Sequence, residues 1–589
     1  MLPFHTRQLN ASYPPKRRVF SLQTFQLLYS RPVLRWMPLL LGSVLTLWLF
    51  GPFLFDYGRR TVPGLPFDAS PKPIEPEVLS ERARRVRDAY VHAYSGYRRD
   101  AWSFDELKPI SGESVNNFNG WAVTLFDSLD TMWIMGLYDF FEEGMGVVSK
   151  TTFYVAADGY VPFFETIIRY LGGLLSAYAL SGEPILLQKA DELGAALLPA
   201  FETSSGLPMY AVNTETGDTR GGWTGSVLWS EALSNQMEYK YLAHLTGRAE
   251  YFERTEKIME IMHNADIKGG QFPTQWDSST GKPTNQHFSV GAYADSAHEY
   301  LLKQWLLTSQ SEPRSKELYL RAVESIIDTL LYVTPNRKLL YVTDVNGASP
   351  SFMFEHLSCF LPGVLALGVH TLDLPESTKE IHLWAAEGIA TTCWLSYADQ
   401  ASGLGPDVMS MTRPETPYSS GKWTTLLADW EAAGRPGGVP PGLGHTKTES
   451  SETARDYRAD KATYLLRPEA IESFYILWRT TGNEVWRERG WAVFEAIEKH
   501  ARVARGYASV ANVNVVPTKH LDEMPSYFLA ETLKYLYLMF IDQDMIPLDQ
   551  WVFNTEAHPF PIFEWSAKER ALYDIPPKVS PSAQVKRAG

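Results

Sequence analysis

The sequence predicts an all-α fold, a large helical barrel or solenoid, and three observations carry the prediction. Apolar stretches of helical length, punctuated by Gly and Pro, run from about Glu77 to about Phe540. Alternating strand patterns are short and scattered, and there is no strand–helix–strand rhythm, GxGxxG or Walker-type glycine loop. At 45% apolar and 13% aromatic residues the 589-residue chain can fill a large core, which excludes a disordered chain. That length suits about four ordinary domains or one large barrel. No fixed-period repeat occurs, which argues against arrays of short helical repeats.

Residues 1–35 form a basic tail with Arg7, Lys16, Arg17, Arg18, Arg31 and Arg35 and no acid. Residues 36–55 (WMPLLLGSVLTLWLFGPFLF) carry no charge. At about 1.5 Å per residue they span roughly 30 Å, the thickness of a bilayer core. The basic flank and the lack of a small-residue cleavage site predict a signal anchor with a cytosolic tail and a lumenal remainder, a single-pass type II arrangement. The alternative, a buried apolar helix, lacks partner helices of similar apolarity. Residues 56–78, rich in Pro and Gly, read as a stem. The only glycosylation triplet, Asn10-Ala11-Ser12, falls in the cytosolic tail.

Helical stretches then follow at 163–181, 184–201, 226–246, 295–308, 315–333, 378–399, 468–481, 484–503 and 526–541. Several are apolar around most of their circumference, as in helices packed on two sides. LLYVT (339–343) and SVANVNVV (509–516) read as strands. Residues 408–462, with a Pro-, Gly- and charge-rich core, read as a surface insertion whose order the sequence leaves open. Residues 566–589 read as a polar tail, leaving 79–565 as the folded domain.

The formal charge of −14 disfavours nucleic-acid binding, which needs clustered Lys and Arg. The two cysteines, Cys359 and Cys393, form no CxxC or Cys/His cluster, against zinc and iron–sulfur sites. A lumenal setting permits a Cys359–Cys393 disulfide; the alternative is two buried free thiols.

Carboxylates sit inside apolar helical stretches: Glu165 in VPFFETIIRYLGG, Asp295 and Glu299 four apart in GAYADSAHEYLLKQWLL, Glu469 and Glu472 in YLLRPEAIESFYILW, and Glu531 in SYFLAETLKYLYLMF. Burying a carboxylate is costly unless it is paired or put to work. Arg169 and Arg467 could pair with single acids, but four such sites point to a shared acidic cavity. Separated carboxylates at an apolar-walled cavity suit glycoside hydrolysis, where one acid protonates the leaving oxygen and another activates water or attacks the sugar. Asp127 and Asp130 in TLFDSLDTMWIMGL read as support for that site.

The blocks DELKPISG (105–112), TLFDSLDTMWIMGL (124–137), FFETIIRYLGGLLSAYALSG (163–182), LLPAFETSSGLP (197–208), ADSAHEYLLKQW (294–305), HLSCFLPGVLALG (356–368), LLRPEAIESFYILWRTTG (465–482), FLAETLKYLYLMF (528–540) and VFNTEAHPF (552–560) resemble class I α-1,2-mannosidases, glycoside hydrolase family 47, in the family's order. The resemblance implies an (α/α)7 barrel with a small β-hairpin plug. It implies an inverting, Ca²⁺-dependent exo-hydrolase that trims α-1,2-linked mannose from high-mannose N-glycans, in the Golgi or ER membrane. Glu165 takes the general-acid position. Asp295 and Glu469 take the other catalytic carboxylate positions, with Glu469 as the base. Thr555 matches the calcium ligand. Arg169, Glu231, Arg467, Glu472, Tyr527, Glu531 and Glu556 match positions that contact the mannose. Oligomeric state stays open.

Several positions depart from the family's pattern. Tyr293 stands in GAYADS where Arg is frequent, Ala297 and His298 replace tyrosines, and Leu233 replaces a Gly near Glu231. Pro525 replaces an acid, and Tyr527 replaces a stacking Phe. These changes predict retained chemistry with altered glycan preference. Alternative readings are a degradation-enhancing relative that marks or binds misfolded glycoproteins, and a non-catalytic glycan binder.

Overall fold

Proline and small-residue punctuation sets the helix starts. A computed structural model describes residues 73–576 except 416, 445 and 446. The predicted tail (1–35) and anchor (36–55), most of the stem and the chain after 576 lie outside the described residues. Among the described residues no helix is long and apolar enough to cross a membrane.

Helix α1 (Pro76–Asp100) takes in the last three residues assigned to the stem. Pro76 sits in the first turn, where its missing N–H costs nothing, and Arg98 and Arg99 oppose the dipole at the other end. Its buried residues Leu79, Val86, Tyr90, Ala93, Tyr94 and Tyr97 recur at helical spacing. The chain continues through α2 (Val123–Ile134), α3 (Tyr138–Val148), α4 (Gly172–Ser181), α5 (Pro184–Leu197), α6 (Gln236–Thr246) and α7 (Ala249–Asn264). Then come α8 (Asp295–Leu307), α9 (Pro313–Thr329), α10 (Leu361–Thr371), α11 (Glu376–Ala398), α12 (Glu469–Thr481), α13 (Val485–His500) and α14 (Leu533–Phe540).

Two sets of helices emerge from the packing. Helices α2, α4, α6, α8, α10, α12 and α14 each touch the next of the set, and the turn leading into α14 packs back on α2. Each also packs most extensively on one neighbour outside the set, namely α3, α5, α7, α9, α11, α13 and α1. The division follows composition. In α8 and α10 nearly every residue is buried, whereas α7 and α9 alternate buried Tyr, Ile and Leu with exposed charges.

The stretch 226–246 is not one helix. Strand Val227–Leu228 and a short helix Trp229–Leu233 precede α6, and the break falls at Ser234–Asn235. LLYVT contributes strand Leu340–Val342, paired antiparallel with Leu331–Val333, so the predicted helix over 315–333 ends early. SVANVNVV forms only isolated bridges from Val510 to Tyr464 and His520.

The described residues of 408–462 are tied into the fold. Strands β1 (Met353–Glu355), β2 (Val408–Met411) and β3 (Tyr457–Lys461) form one antiparallel sheet, so both ends of the segment are built into the fold. Between them Trp423 is fully buried at the start of helix Trp423–Ala432. Buried Arg337 and Arg455 satisfy carbonyls of Lys447 and Ser450 while Arg337 pairs with Asp399 at 2.6 Å. Arg337 reaches the Gly/Pro-rich loop from outside, while Arg455, Trp423 and Trp430 hold its carbonyls from within the segment.

Strands β4 (Trp551–Phe553) and β5 (Pro559–Pro561) form a hairpin that packs on α8 and α4. The predicted C-terminal tail begins as a capped helix, Ala567–Leu572, whose Ser566 accepts from the Glu569 N–H. The disulfide Cys359–Cys393 is formed and joins the turn before α10 to α11.

Candidate active site

One cavity of about 180 Å³ gathers every predicted site residue except Glu231. Its apolar wall is Phe164, Ile168, Leu357, Phe360 and Pro468. Its polar wall is Glu165, Arg169, Asp295, Glu299, Arg467, Glu469, Glu472, Tyr527, Glu531, Thr555 and Glu556. Glu231 lies apart, half-buried in helix Trp229–Leu233, where its Oε2 accepts from the Leu228 N–H at 3.3 Å. Burial pushes its carboxyl up to about 7, and the charge of Glu165 adds to the rise.

Helix ends and distortions aim the polar wall. Asp295 and Glu469 are each the first residue of their helices, α8 and α12, so their side chains project from the helix mouth. A π-helical turn, Thr166–Leu171, follows Glu165 and carries Arg169; another, Phe528–Thr532, carries Glu531. A π turn inserts a residue into the helical ladder and re-aims the side chains after it. Thr555 sits in the turn of the β4–β5 hairpin, which reaches the cavity between helices from distant parts of the chain.

Arg169 is the hub on one side. Its Nε donates to Glu165 Oε2 at 2.8 Å, its Nη1 pairs with Glu556, and Asp127 lies at 3.5 Å. Its guanidinium also rides over the rings of Phe118 and Tyr527. Tyr527 donates its hydroxyl to the Leu465 carbonyl at 2.7 Å, a bond that fixes the ring and that Phe could not make.

The opposite side is built around Glu469. His356 Nδ1 lies 2.8 Å from its Oε2, and His356 Nε2 lies 2.6 Å from the Tyr397 hydroxyl. Arg467 stands 3.7 Å from its other oxygen and bonds Asp407 at 2.9 Å. Burial alone raises the Glu469 carboxyl, but the His356 hydrogen bond and the His356 and Arg467 charges outweigh it, so the net shift is downward. Asp295 behaves oppositely. Burial, then the charges of Glu299, Glu355 and Glu469, push it up to about 7 against the Ser296 N–H bond at 2.8 Å.

Deeper in, Lys303 joins Glu299 and Glu472, the latter at 3.3 Å. Burial raises Glu472 to about 8, overriding Lys303. Burial and the neighbouring carboxylates raise Glu531 and Glu556 well above the usual range. Thr555 Oγ1 donates to Glu299 Oε1 at 3.0 Å. Crowded acids whose negative charge is only partly offset, beside a threonine hydroxyl, form an all-oxygen donor set suited to a hard cation such as Ca²⁺. Among the described residues no group of three or more His, Cys, Asp or Glu is arranged to hold a metal ion by itself.

Asp127 and Asp130, read from the sequence as support, lie behind the wall and bond His558. The sequence assigned no role to Lys303, His356, Glu355 or Glu238. Lys303 stands four residues after Glu299 on one helix, a spacing that was legible. His356 reaches Glu469 across 113 positions, and no local pattern announces such a contact.

The model of glycosyl hydrolase family 47 matches residues 89–562. The chain is 36% identical over 495 residues to mannosyl-oligosaccharide alpha-1,2-mannosidase IA of Spodoptera frugiperda, covering 83% of this chain and 68% of that protein. It is 38% identical over 499 residues to the endoplasmic reticulum mannosyl-oligosaccharide 1,2-alpha-mannosidase of Rattus norvegicus, covering 84% and 69%. The solved structure of alpha-1,2-mannosidase from Trichoderma reesei superposes with a TM-score of 0.72 at 28% identity, covering 82% of this chain and 99% of that one.

Proposed function

The chain belongs to glycosyl hydrolase family 47, and from that premise we propose that it is a calcium-dependent, inverting exo-α-1,2-mannosidase that trims high-mannose N-glycans. The observation that carries the reading is the meeting of Glu165, Asp295 and Glu469 with Thr555 in one small cavity. The seven helix pairs closing on themselves support an (α/α)7 barrel, with the β4–β5 hairpin as its plug. The relatives' names supply the linkage and the substrate class.

Glu165 donates the proton to the leaving glycosidic oxygen, held toward the cavity by Arg169. Glu469, kept ionised by His356 and Arg467, takes the proton from the attacking water on the other face of the sugar. Asp295 helps orient that water. Tyr527 and the apolar wall pack against the ring, while Arg467, Glu472, Glu531 and Glu556 bind hydroxyls. When bound at Thr555, Ca²⁺ supplies electrostatic anchoring of the sugar's hydroxyls. Glu231 and Tyr293 lie toward outer sugars, where Tyr293 alters branch choice. The uncharged 36–55 segment anchors the enzyme in the Golgi or ER membrane with the catalytic domain lumenal.

The test is incubation with a nine-mannose N-glycan, with calcium or with chelator, following hexose loss by mass. Stepwise loss that chelator abolishes is expected, and the isomers formed report branch choice. A folded protein that releases no mannose under either condition would overturn the reading.

A further inference from the structure

We propose that His558 is a positioning residue for the hydrolysis: clamped between Asp127 and Asp130, it fixes the turn bearing Thr555 and Glu556 against Arg169, and through Arg169 it aims Glu165. The inference rests on the proposed function of the same cavity.

His558 immediately precedes β5, three residues after Thr555, and is fully buried outside the cavity. Its Nδ1 lies 2.8 Å from Asp130 Oδ2 and its Nε2 3.1 Å from Asp127 Oδ1. Carboxylates only accept, so bonds from both ring nitrogens require the imidazolium. Consistently, burial alone would lower its pKa, yet the Asp130 charge and both carboxylate bonds raise it against the Lys534 charge. Lys534, on α14, bonds Asp130 at 2.9 Å and the Ala557 carbonyl at 2.6 Å, pinning the same turn.

From this clamp a chain of polar contacts leads to the reacting carboxyl. Asp127 accepts from Ser526 Oγ and lies 3.5 Å from Arg169, which bonds Ser526 at 3.3 Å, Glu165 at 2.8 Å and Glu556. Asn554 closes the turn, accepting from the Glu556 and His558 N–H groups and donating to Glu238 and to the Ile168 carbonyl. The start of α4 packs closely on the ring. A Cβ on Gly172 would lie 2.9 Å from His558 Cδ2, and one on Gly173 would lie 2.4 Å from the Phe126 carbonyl oxygen. Two glycines at the start of α4 therefore make room for the clamp. An imidazolium, Asp127, Asp130 and Lys534, assembled behind the cavity wall, hold the hairpin turn and the acid's partner Arg169 in one register.

The test compares wild type with His558→Gln in the full chain, using the nine-mannose glycan for kcat and KM and thermal midpoints with increasing calcium. Asp130→Asn/His558→Gln serves where the single variant fails to fold, since it removes one of the two acids left uncompensated. The expected result, per mole of folded protein, is a kcat at least tenfold lower with KM changed less than threefold. The calcium concentration giving half-maximal thermal protection should rise severalfold. A folded variant with kcat within twofold of wild type overturns the proposal, even if its midpoint is lower, because that is a purely structural effect. So does a change confined to KM. Failure of the wild type to release mannose in the same assay would instead sink the proposed function.

Discussion

Asp295→Asn should abolish trimming and at the same time stabilise the calcium-free protein above pH 7. Burial and the charges of Glu299, Glu355 and Glu469 raise Asp295 from its ordinary 3.8 to about 7. Between those values the folded state keeps a proton that the unfolded state has lost. Stability attributable to this group is therefore fully present below about pH 4 and is lost as pH rises to about 7. Three decades of pH at about 1.4 kcal/mol each give roughly 4 kcal/mol as an upper bound. The side chain borders an open cavity, so water screening brings this to about 2 kcal/mol. For roughly 500 ordered residues, at about 2 cal/mol/K each, the thermal midpoint moves about 1 °C per kcal/mol. With chelator present, the variant should match wild type near pH 4 and melt about 2–4 °C higher at pH 8. Trimming should fall at least ~100-fold. Equal midpoints at pH 8, or a variant less stable at pH 8 than at pH 4 relative to wild type, would refute a charge penalty at Asp295.

Other residues give independent checks. His356→Ala removes the hydrogen bond and charge that lower Glu469, so its carboxyl rises; the acid limb of kcat/KM against pH should move to higher pH, with kcat reduced about 10–100-fold. Lys303→Met leaves Glu299 and Glu472 facing each other in the interior; destabilisation of about 3–5 kcal/mol is expected, measured as a lower thermal midpoint. Replacing both cysteines by Ser opens a loop of 34 residues' separation; the chain-entropy cost is about 4 kcal/mol, and the midpoint should fall in non-reducing buffer to that of the reduced wild type.

The helices were legible because their apolar positions recur at helical spacing and their ends carry Pro and Gly. Their division into two sets was legible only in part: α8 and α10 are apolar around most of their surface and α7 and α9 carry an exposed charged face, but which helices touch is not written in any local pattern. The acids of the cavity stood out because a carboxylate in FFETIIRYL or RPEAIESF has no local reason to be there. Their electrostatic roles were not legible. His356 and Arg467 lower Glu469, while burial and the charges of Glu299, Glu355 and Glu469 raise Asp295, and of these groups His356 and Glu355 come from segments that no local pattern connects to the site. The π turns at Thr166–Leu171 and Phe528–Thr532 leave no mark in composition. In 408–462 Gly and Pro signal a loop, and no local pattern announces that Arg337, from outside the segment, and Arg455, within it, hold its carbonyls. Glu231 lies outside the cavity that holds the rest.

The most direct measurement follows the anomeric proton signals of mannose released from an α-1,2-mannose-terminated glycan, using wild type and Glu469→Gln with calcium. The account predicts β-mannose first from the wild type, since water attacks opposite the leaving group, and a rate at least ~100-fold lower from the variant. First-formed α-mannose, or a Glu469→Gln protein that turns over like wild type, would contradict it.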